Sequence, residues 1–529
     1  MLNMRRRTFL QAAGYSALWG GLAAHFAPQA RATSASEIAG PDPDLHLLRR
    51  TSFGPTVAEL DRVRSIGRAA YVEEQLVASD PDVENMAVVH FPRIALDNAA
   101  LLAASGNGLT TNDCIQDLQQ AALYRALFSG AQLQEVMVDF WNDHFNTYIR
   151  KNPIALKLDL DRSVIRANAM GNFKTLLKAV VYHAEMLRYL DNYLNTQTTV
   201  NENYARELME LHTLGREGGY TAADIKALAR ILTGLTYQTG VSGLVGTELK
   251  LYGDVIFWDH LHDPSEKVFM GEVFPEGGGE EEIQRALQIL VDHPSTARFI
   301  STKLCQRFVA DEVSDELVDE VTAVFIDTDG DIKSMLRYIL NAPEFLASAG
   351  EKFKRPMHAM VGAMRACGVN QFDALLNTDQ FGVPGIGGGL LLASMGQAGQ
   401  EPFAWVPPNG YPDTASFWSN TNSLLYQQRF LVEWVEGTAY GRVLADPNGV
   451  IEGTSVAEVV ADGMTPRQVV TNAVANLLFM DLPVEAFDAA LDFVAQGEDP
   501  DAEISGEVLA PRVKGLVFVL LSSPWFLLR

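Results

Sequence analysis

The chain has 529 residues, of which 47% are hydrophobic and 20% are charged, a balance that excludes a wholly disordered, collagen-like or membrane-embedded protein. Its 66 acidic residues outnumber its 41 basic residues, which gives a net charge of −25. Because phosphate contacts need a basic face, this charge argues against general nucleic-acid binding.

The first 32 residues predict a twin-arginine export signal. Residues 5–10 (Arg-Arg-Arg-Thr-Phe-Leu) place paired arginines before Phe and Leu, an apolar stretch runs from Ala12 to Ala27, and residues 30–32 (Ala-Arg-Ala) form a small-x-small cleavage site. The apolar stretch is short and interrupted by glycine, whereas a membrane span needs roughly 20 apolar residues. We therefore expect a periplasmic or extracellular protein with no membrane span after cleavage, and residues 33–44 as a linker.

From residue 45 to 529 the pattern predicts an all-α protein, a large multi-helix bundle or array. Apolar residues recur at spacings of three and four, as in the stripe Phe173, Leu176, Leu177, Val180 and Val181. Strand-like alternation is confined to 249–258 and 268–274, within a loop-rich insert, so we expect at most a small β-hairpin there. A single large domain is the simplest organisation, and a division into two subdomains near 240–280 is the alternative.

Two helices predicted near 335–340 and 516–521 end in the same way. Each is followed by a small residue, a proline and an aromatic residue that returns to the core, at Phe345 and Phe526. The three cysteines, Cys114, Cys305 and Cys367, are too few and too scattered for a disulfide framework and have no zinc-site spacing, so we expect buried thiols.

Three stretches that could suggest ligand loops are better interpreted as turns. Residues 276–280 (Glu-Gly-Gly-Gly-Glu) carry acids that would repel a phosphate, and the glycines of 385–389 follow no predicted strand. In 327–331 (Asp-Thr-Asp-Gly-Asp) the glycine is fourth rather than sixth, which does not fit an EF-hand. We expect Asp331 to cap the next helix.

The densest polar segment, 201–215, predicts an Asn-capped helix closed by Gly215. Glu207 and Glu210 share one face, Arg206 is placed to reach Glu210, and His212 falls on the apolar side. The two carboxylates are candidate catalytic residues; an internal salt-bridge network is the competing interpretation.

A second segment, 140–146, contributes His144 as a further catalytic candidate. His144 shares an apolar face with Met137, Phe140 and Trp141, so a satisfied, half-buried histidine is the alternative. Glu135, Asp139 and Asp143 line another face of the same helix.

The third segment, 258–264, contains the nearest approach to a metal-ligand pair. If the chain is extended here, His260 and His262 point the same way and, with Asp263, could share a divalent ion. The alternative is a loop in which Asp263 fixes the turn before Pro264.

Taken in order, these segments resemble the signatures of a bacterial family, the domain of unknown function 1800. The resemblance extends from about Pro43 to Phe526 and is specific because many motifs recur in sequence. They are residues 46–55, 140–145, 190–192, 201–215, 220–221, 229–234, His262-Asp263 with Lys267 and Gly271, 352–356, 395–397 and 407–412. One departure is Tyr411, where many members have Trp.

The resemblance implies a predominantly helical fold, frequent export by the twin-arginine route, and frequent encoding beside a second exported family, of unknown function 1501, with sulfatase-like character. It implies no agreed reaction and no assigned catalytic residues. The partner it suggests is therefore a co-encoded, exported, sulfatase-like protein.

Two functions remain from the sequence. The first is an exported cell-envelope protein that serves as a helical binding or assembly platform for an exported partner. The alternative is a metal-assisted hydrolase or modifying enzyme acting on an envelope or extracellular polysaccharide, in which the separated acids and histidines converge in one cleft. A redox or haem protein is disfavoured, because no Cys-x-x-Cys-His and no glycine fingerprint in strand–helix context occurs.

Overall fold

The computed structural model describes residues 42–105, 111–240, 242–245, 248–369, 390–436 and 464–529. Twenty-five α-helices dominate this part of the chain, which confirms the expected mostly α-helical class. In chain order, α1 to α25 are Pro43–Thr51, Val57–Ile66, Arg68–Val77, Pro81–His90, Asn98–Ser105, Thr111–Phe128, Gln132–His144, Ile154–Asp159, Phe173–Val181, Ala184–Tyr189, Asn203–Glu207, Ala222–Ile231, Glu281–Asp292, Pro294–Phe308, Asp315–Asp327, Ile332–Asn341, Pro343–Ala347, Pro356–Ala366, Leu390–Gln397, Ala415–Trp418, Thr421–Glu436, Pro466–Leu477, Val484–Ala495, Gly506–Leu521 and Pro524–Leu527.

Two of these helices continue into π-helical turns. Leu160–Arg166 extends α8, and Leu208–Thr213 extends α11, so the predicted single helix over 201–215 is an α-turn followed by a π-turn. The expected Asn cap is not found: the N-cap residue is Glu202, which makes no side-chain capping bond, and Asn201 Oδ1 instead accepts from Asn203 N at 2.9 Å in the turn before the helix. Insertions of this kind widen a helix and are frequent at functional sites. Three short 3-10 helices complete the helical set: Pro92–Ala95, Asn192–Leu194 and Asp259–Leu261.

The insert between α12 and α13 contains more β-structure than the one small hairpin expected. Three antiparallel pairs of short strands form, each its own two-stranded sheet. Val268–Phe274 was expected to be extended and is the hairpin of β5 with β6, whereas 249–258 is divided between two sheets because Asp254 turns the chain. The strands are β1 Leu235–Tyr237 with β4 Val255–Phe257, β2 Ser242–Val245 with β3 Glu248–Leu251, and β5 Lys267–Phe269 with β6 Glu272–Phe274.

Helix ends follow the capping rules that the sequence predicts. Asp331 caps α16, since its Oδ2 accepts from Ser334 N at 2.8 Å, and no EF-hand geometry is needed to explain it. Residues 276–280 form the turn before α13. Helices α16 and α24 both end before a proline that starts the next short helix, and the following Phe345 and Phe526 are buried, as expected.

The aromatic face of α7 packs into the core. Trp141 is fully buried, its indole N–H donates to Ala169 O at 3.0 Å, and its ring packs against Phe145 and Phe173. From α1 to α25, buried apolar side chains belong to one continuous cluster. This packing fixes α7 rigidly, with its polar face turned away from the tryptophan.

All three cysteines are free and buried, as predicted, and burial raises the pKa of Cys305 to about 12. Within the described ranges, no helix combines the length and apolar character required to cross a membrane. The predicted export signal and the glycines of 385–389 lie outside the described residues.

Candidate functional site: an acidic pocket beside α7

The polar face of α7 lines a small pocket that is open to solvent. Glu135, Asp139, Asn142, Asp143 and Asn146 contribute from this side, at the helical spacing that places them on one face. The sequence predicted that Glu135, Asp139 and Asp143 share a face, but it did not predict that this face encloses a pocket.

The opposite wall comes from residues far along the chain. Gln400, Phe403 and Tyr411 line it, together with Met357 at the start of α18. Gln400 Oε1 accepts from Met357 N at 2.9 Å, and the Tyr411 hydroxyl donates to Glu401 O at 2.7 Å. The first bond joins the loop of residues 400–412 to the start of α18, and the second closes the loop on itself.

Gly410 allows this loop to approach α7. Its φ is +71°, and a Cβ at this position would lie 2.1 Å from Asp143 O, which is impossible without a backbone shift. A side chain here would therefore force the loop away from the helix and open the pocket.

Beside Tyr411, which lines the pocket, lies an apolar ledge, formed by Trp405 and Val406 of the same loop and by Phe417 of α20. The Trp405 ring lies 5.0 Å from the Tyr411 ring and 5.8 Å from the Phe417 ring. Val406 is 61% exposed and Phe417 39% exposed. Aromatic and apolar groups exposed together are typical of an interaction surface.

Buried arginines hold the two aspartates from behind. Arg355 donates to Asp143 Oδ2 at 2.7 Å and also to Asp139 Oδ2, and Arg307 donates to Asp139 Oδ2 at 2.7 Å. The side chains of Asp139 and Asp143 are 19% and 20% exposed, whereas those of Arg307 and Arg355 are 2% and 1% exposed. The carboxylates therefore face the pocket and the guanidiniums form the layer beneath it.

The carboxyl group of Asp143 has a pKa that is raised toward neutral pH. Burial raises its pKa to about 6, partly opposed by the Arg355 guanidinium and reinforced by the Asp139 carboxylate. A carboxyl group with this pKa can exchange a proton near neutral pH, as a general acid or base must. Burial also raises the pKa of the Tyr411 hydroxyl, which keeps it protonated as a donor.

The remaining polar groups of the pocket are also restrained. Glu135 accepts two bonds from Arg166, at 2.8 and 3.0 Å. Asn142 donates to Asp161 Oδ1 at 2.8 Å, and Asn146 donates to the backbone of the ledge loop. The pocket wall is therefore preorganised.

His144 faces the core rather than the pocket. Its Nε2–H donates to His212 O at 3.2 Å, because a carbonyl can only accept, and Nδ1 therefore accepts from Lys303 Nζ at 3.0 Å. Burial and the nearby Lys303 ammonium hold the pKa of His144 well below its usual range, so it is neutral. The contact with His212 connects α7 to the π-turn that follows α11.

Glu207 and Glu210 lie on the outer side of that helix, away from the pocket lining. Arg206 does not reach Glu210 as the spacing suggested; it pairs with Glu202 at 3.1 Å, and Glu210 accepts from Arg216 Nε at 2.6 Å. The π-turn changes the angular spacing after Glu207, which explains the difference. Burial and the Glu210 carboxylate raise the pKa of Glu207.

The segment of His260 and His262 is not extended. It forms the 3-10 turn Asp259–Leu261, so the two imidazoles do not lie side by side: His260 is exposed against Trp258, and His262 is 2% exposed. Asp263 fixes the turn before Pro264, since its Oδ1 accepts from Ser265 N at 2.9 Å, and it pairs with Arg230 at 2.6 Å.

Both ring nitrogens of His262 are engaged. Nδ1–H donates to Thr233 O at 2.9 Å, and Nε2 lies 3.2 Å from Glu282 Oε2, which also accepts from Lys267 Nζ at 2.6 Å. This buried cluster joins the insert to α12 and α13.

The structure therefore does not arrange His260, His262 and Asp263 as ligands of one ion, and a metal role for them stays a prediction. Throughout the described part of the chain, no group of three or more His, Cys, Asp or Glu side chains is placed to hold a metal. The structure connects His144 to the helix of Glu207 and Glu210, but their side chains point to different surroundings. A catalytic role for these residues stays a prediction.

Sequence reasoning did not select the residues that complete the pocket. Arg355 and Tyr411 lie in motifs that carried the family resemblance, but nothing local indicates that residues more than 200 positions apart meet. One sequence feature could have indicated the pocket: the acidic face of α7, which lies opposite Trp141 and for whose carboxylates the neighbouring sequence offers no evident partner.

Comparison with known proteins identifies the family of this chain. A family model described as "Protein of unknown function (DUF1800)" matches residues 46–528, nearly the whole chain, and the chain therefore belongs to this family. No curated protein and no solved structure matches it.

Proposed function

We propose that this protein is an exported platform of the cell envelope, and that the acidic pocket and the apolar ledge together bind a segment of an exported partner protein. The twin-arginine signal predicted in residues 1–32 would deliver the chain to the periplasm or the extracellular space. A co-encoded sulfatase-like protein is the partner that the family resemblance suggests.

The observation that carries this proposal is the fixed acidic wall next to the exposed ledge. Asp139 and Asp143 present carboxylate oxygens to the pocket, while the arginines that hold them are buried behind. A wall restrained in this way loses little conformational entropy when a ligand binds. The complementary segment has a basic or amide side chain for the pocket, flanked by apolar residues for Trp405, Val406 and Phe417.

Isothermal titration of the purified partner against the mature chain tests the proposal. Val406→Glu changes only an exposed side chain and is expected to weaken binding at least about tenfold, because it places a charge on the ledge. Val77→Glu, at a site 72% exposed on α3, is the matched control and should change the Kd less than about twofold. Equal Kd values for both variants, or no binding by the wild-type chain, would contradict the proposal.

A second candidate is a hydrolase acting on an envelope or extracellular polysaccharide. The observation that favours it is the raised pKa of Asp143, about 6, with the Asp139 carboxylate one helical turn away. In this case Asp143 delivers or removes a proton at the scissile bond, beside the Asp139 side chain. The form of this candidate in which His260 and His262 hold a metal is less favoured, because His262 already has partners for both ring nitrogens.

Release of reducing ends from purified envelope polysaccharide distinguishes the two functions. The hydrolase predicts turnover that falls at least about 100-fold in Asp143→Asn and persists in Glu207→Ala and His262→Ala. Stoichiometric metal in protein purified after export, lost together with activity in His262→Ala, would restore the metal-assisted form. A platform shows no turnover in any of the variants.

A further inference from the structure

Four arginine side chains are buried together behind the pocket wall, which is unusual for groups that remain charged. Arg50, Arg307, Arg355 and Arg529 are each 2% exposed or less, and they come from α1, α14, the start of α18 and the segment after α25. Two contacts bring Arg50 and Arg529 to the same short segment: Arg50 donates to Ser348 O at 2.6 Å, and Arg529 N donates to Lys352 O at 2.8 Å. Burial and the neighbouring Arg307 lower the pKa of Arg529 to about 9, and burial and Arg529 lower the pKa of Arg50.

Many N–H donors of this arginine cluster have no acceptor among the described residues. In that part of the chain, none of the three guanidinium nitrogens of Arg529 has a hydrogen-bond partner, and Arg50 lacks partners for Nε and Nη1. His358, fully buried beside them, likewise has no described partner for either ring nitrogen. Buried donors are almost always paired, and a buried charge without a partner is strongly unfavourable, so a set of this size indicates a missing acceptor.

The neighbouring carboxylates cannot supply that acceptor, because other cations already use them. Asp139 accepts from Arg307 and Arg355, and Asp413 pairs with Arg307 at 3.4 Å and with Lys352 at 3.9 Å. The main-chain carbonyl of Arg529 accepts from Lys352 N at 3.3 Å rather than from a guanidinium.

The balance of buried charges also indicates a missing anion. The interior here holds six cationic side chains, and five carboxylates act on them, so one positive charge is left without a negative partner. The cations are Arg50, Arg307, Arg355, Arg529, Lys352 and Lys354, and the carboxylates are Asp139, Asp143, Asp311, Glu351 and Asp413.

We propose that Arg529 and Arg50, with His358 beside them, bind a small oxyanion of the phosphate or sulfate class in the protein interior. Such an anion offers several acceptors and one or two negative charges, and the planar guanidinium fork matches its oxygen spacing. Neutral His358 can donate one N–H to it. The anion connects α1, α18 and the last residues of the chain, and it stiffens the arginine layer that holds Asp139 and Asp143.

The first test needs only the wild-type protein. Protein purified in chloride buffer, then denatured, is expected to release about one equivalent of phosphate or sulfate per chain, measured by ion chromatography. Where the bound anion exchanges during purification, adding phosphate or sulfate at constant ionic strength should raise Tm by about 2–3 °C at a hundredfold excess over Kd. The separate phosphate and sulfate arms identify which oxyanion is bound.

The second test uses the direction in which a substitution changes Tm. Without an anion, Arg529→Met removes an unpaired buried charge and should raise Tm in every buffer. With the anion bound, the same change should lower Tm in phosphate or sulfate and abolish the dependence on the anion. Arg467→Met, at an exposed arginine paired with Asp501, is the control and should keep the wild-type dependence.

The proposal is overturned if the wild-type protein releases neither oxyanion and its Tm responds to neither. It is also overturned if Arg529→Met retains the bound anion. If Arg529→Met does not fold, release and titration with the wild-type protein still decide the question. Failure here leaves the pocket proposal untouched, because binding at the ledge is measured by a different titration.

Discussion

Replacing Arg355 with methionine tests whether the arginine layer supports the pocket. Arg355 is the side chain that holds both Asp139 and Asp143, and with its own side chain 1% exposed it has no access to solvent. Methionine fills a similar volume without charge. Asp143 then loses the one ion-pair partner that it has in the described part of the chain, whereas Asp139 keeps Arg307.

The expected cost follows from the burial of the pair. Removing one partner of a buried salt bridge costs about 3–5 kcal/mol, because the other charge remains desolvated. With an unfolding entropy of about 2.1 cal/mol/K per residue, a chain of this length loses roughly 1 °C in Tm per kcal/mol. We therefore expect Arg355→Met to lower Tm by about 3–5 °C.

Differential scanning calorimetry at pH 7.5 measures this change. The control is Arg467→Met, which breaks a pair whose side chains are 45% and 62% exposed and should cost less than about 1 kcal/mol. Adding Asp143→Asn to Arg355→Met should recover part of the loss, since it removes the orphaned charge. A Tm for Arg355→Met within about 1 °C of wild type would refute the claim that buried arginines hold the acidic wall.

Three further predictions concern the same framework. Gly410→Ala should destabilise the chain by more than Gly277→Ala. Gly277 has a similar φ of +90° but open space around it, whereas a Cβ at Gly410 would lie 2.1 Å from backbone. Urea unfolding compares the two variants, and equal losses of unfolding free energy would contradict the close approach of the loop to α7. Because the pKa of Asp143 is raised to about 6, the folded state binds more protons than the unfolded state between about pH 4 and pH 6. The free energy of unfolding should therefore fall by roughly 3 kcal/mol as pH rises through this window, and a difference between wild type and Asp143→Asn that is unchanged from pH 4.5 to 7.5 would refute this. Thiol titration should detect almost no reactive cysteine in the folded protein and all three in guanidinium chloride; a rapidly reacting thiol in the folded state would show that Cys114, Cys305 or Cys367 is accessible.

The acidic face of α7 shows which features the sequence predicts and which depend on the tertiary structure. Helical spacing alone placed Glu135, Asp139 and Asp143 together and turned Trp141 to the opposite side, because side-chain direction along a helix is fixed by 3.6 residues per turn. It could not indicate that Tyr411, 268 residues after Asp143, closes the pocket, since that contact depends on Gly410 and on the path of a long loop. Local periodicity contains no information on which distant segments pack against each other.

The histidines also show that local sequence does not determine tertiary contacts. His144 was expected to be buried or to act as a ligand, and only the packing of α7 against the π-turn after α11 decided that its Nδ1 accepts from Lys303. Whether the side chains of His260 and His262 lie on the same side depended on whether the chain between them is extended. The 3-10 turn places them apart.

From its sequence alone, this chain is determined to be an acidic, mostly helical protein with buried thiols, capped helix ends and a family membership that a match over residues 46–528 confirms. These properties depend on composition and on neighbours within a few residues, where backbone geometry leaves little choice. The tertiary structure alone decided which charges are buried together. The free energy of a buried arginine depends on carboxylates brought from other helices, and no local pattern encodes those contacts.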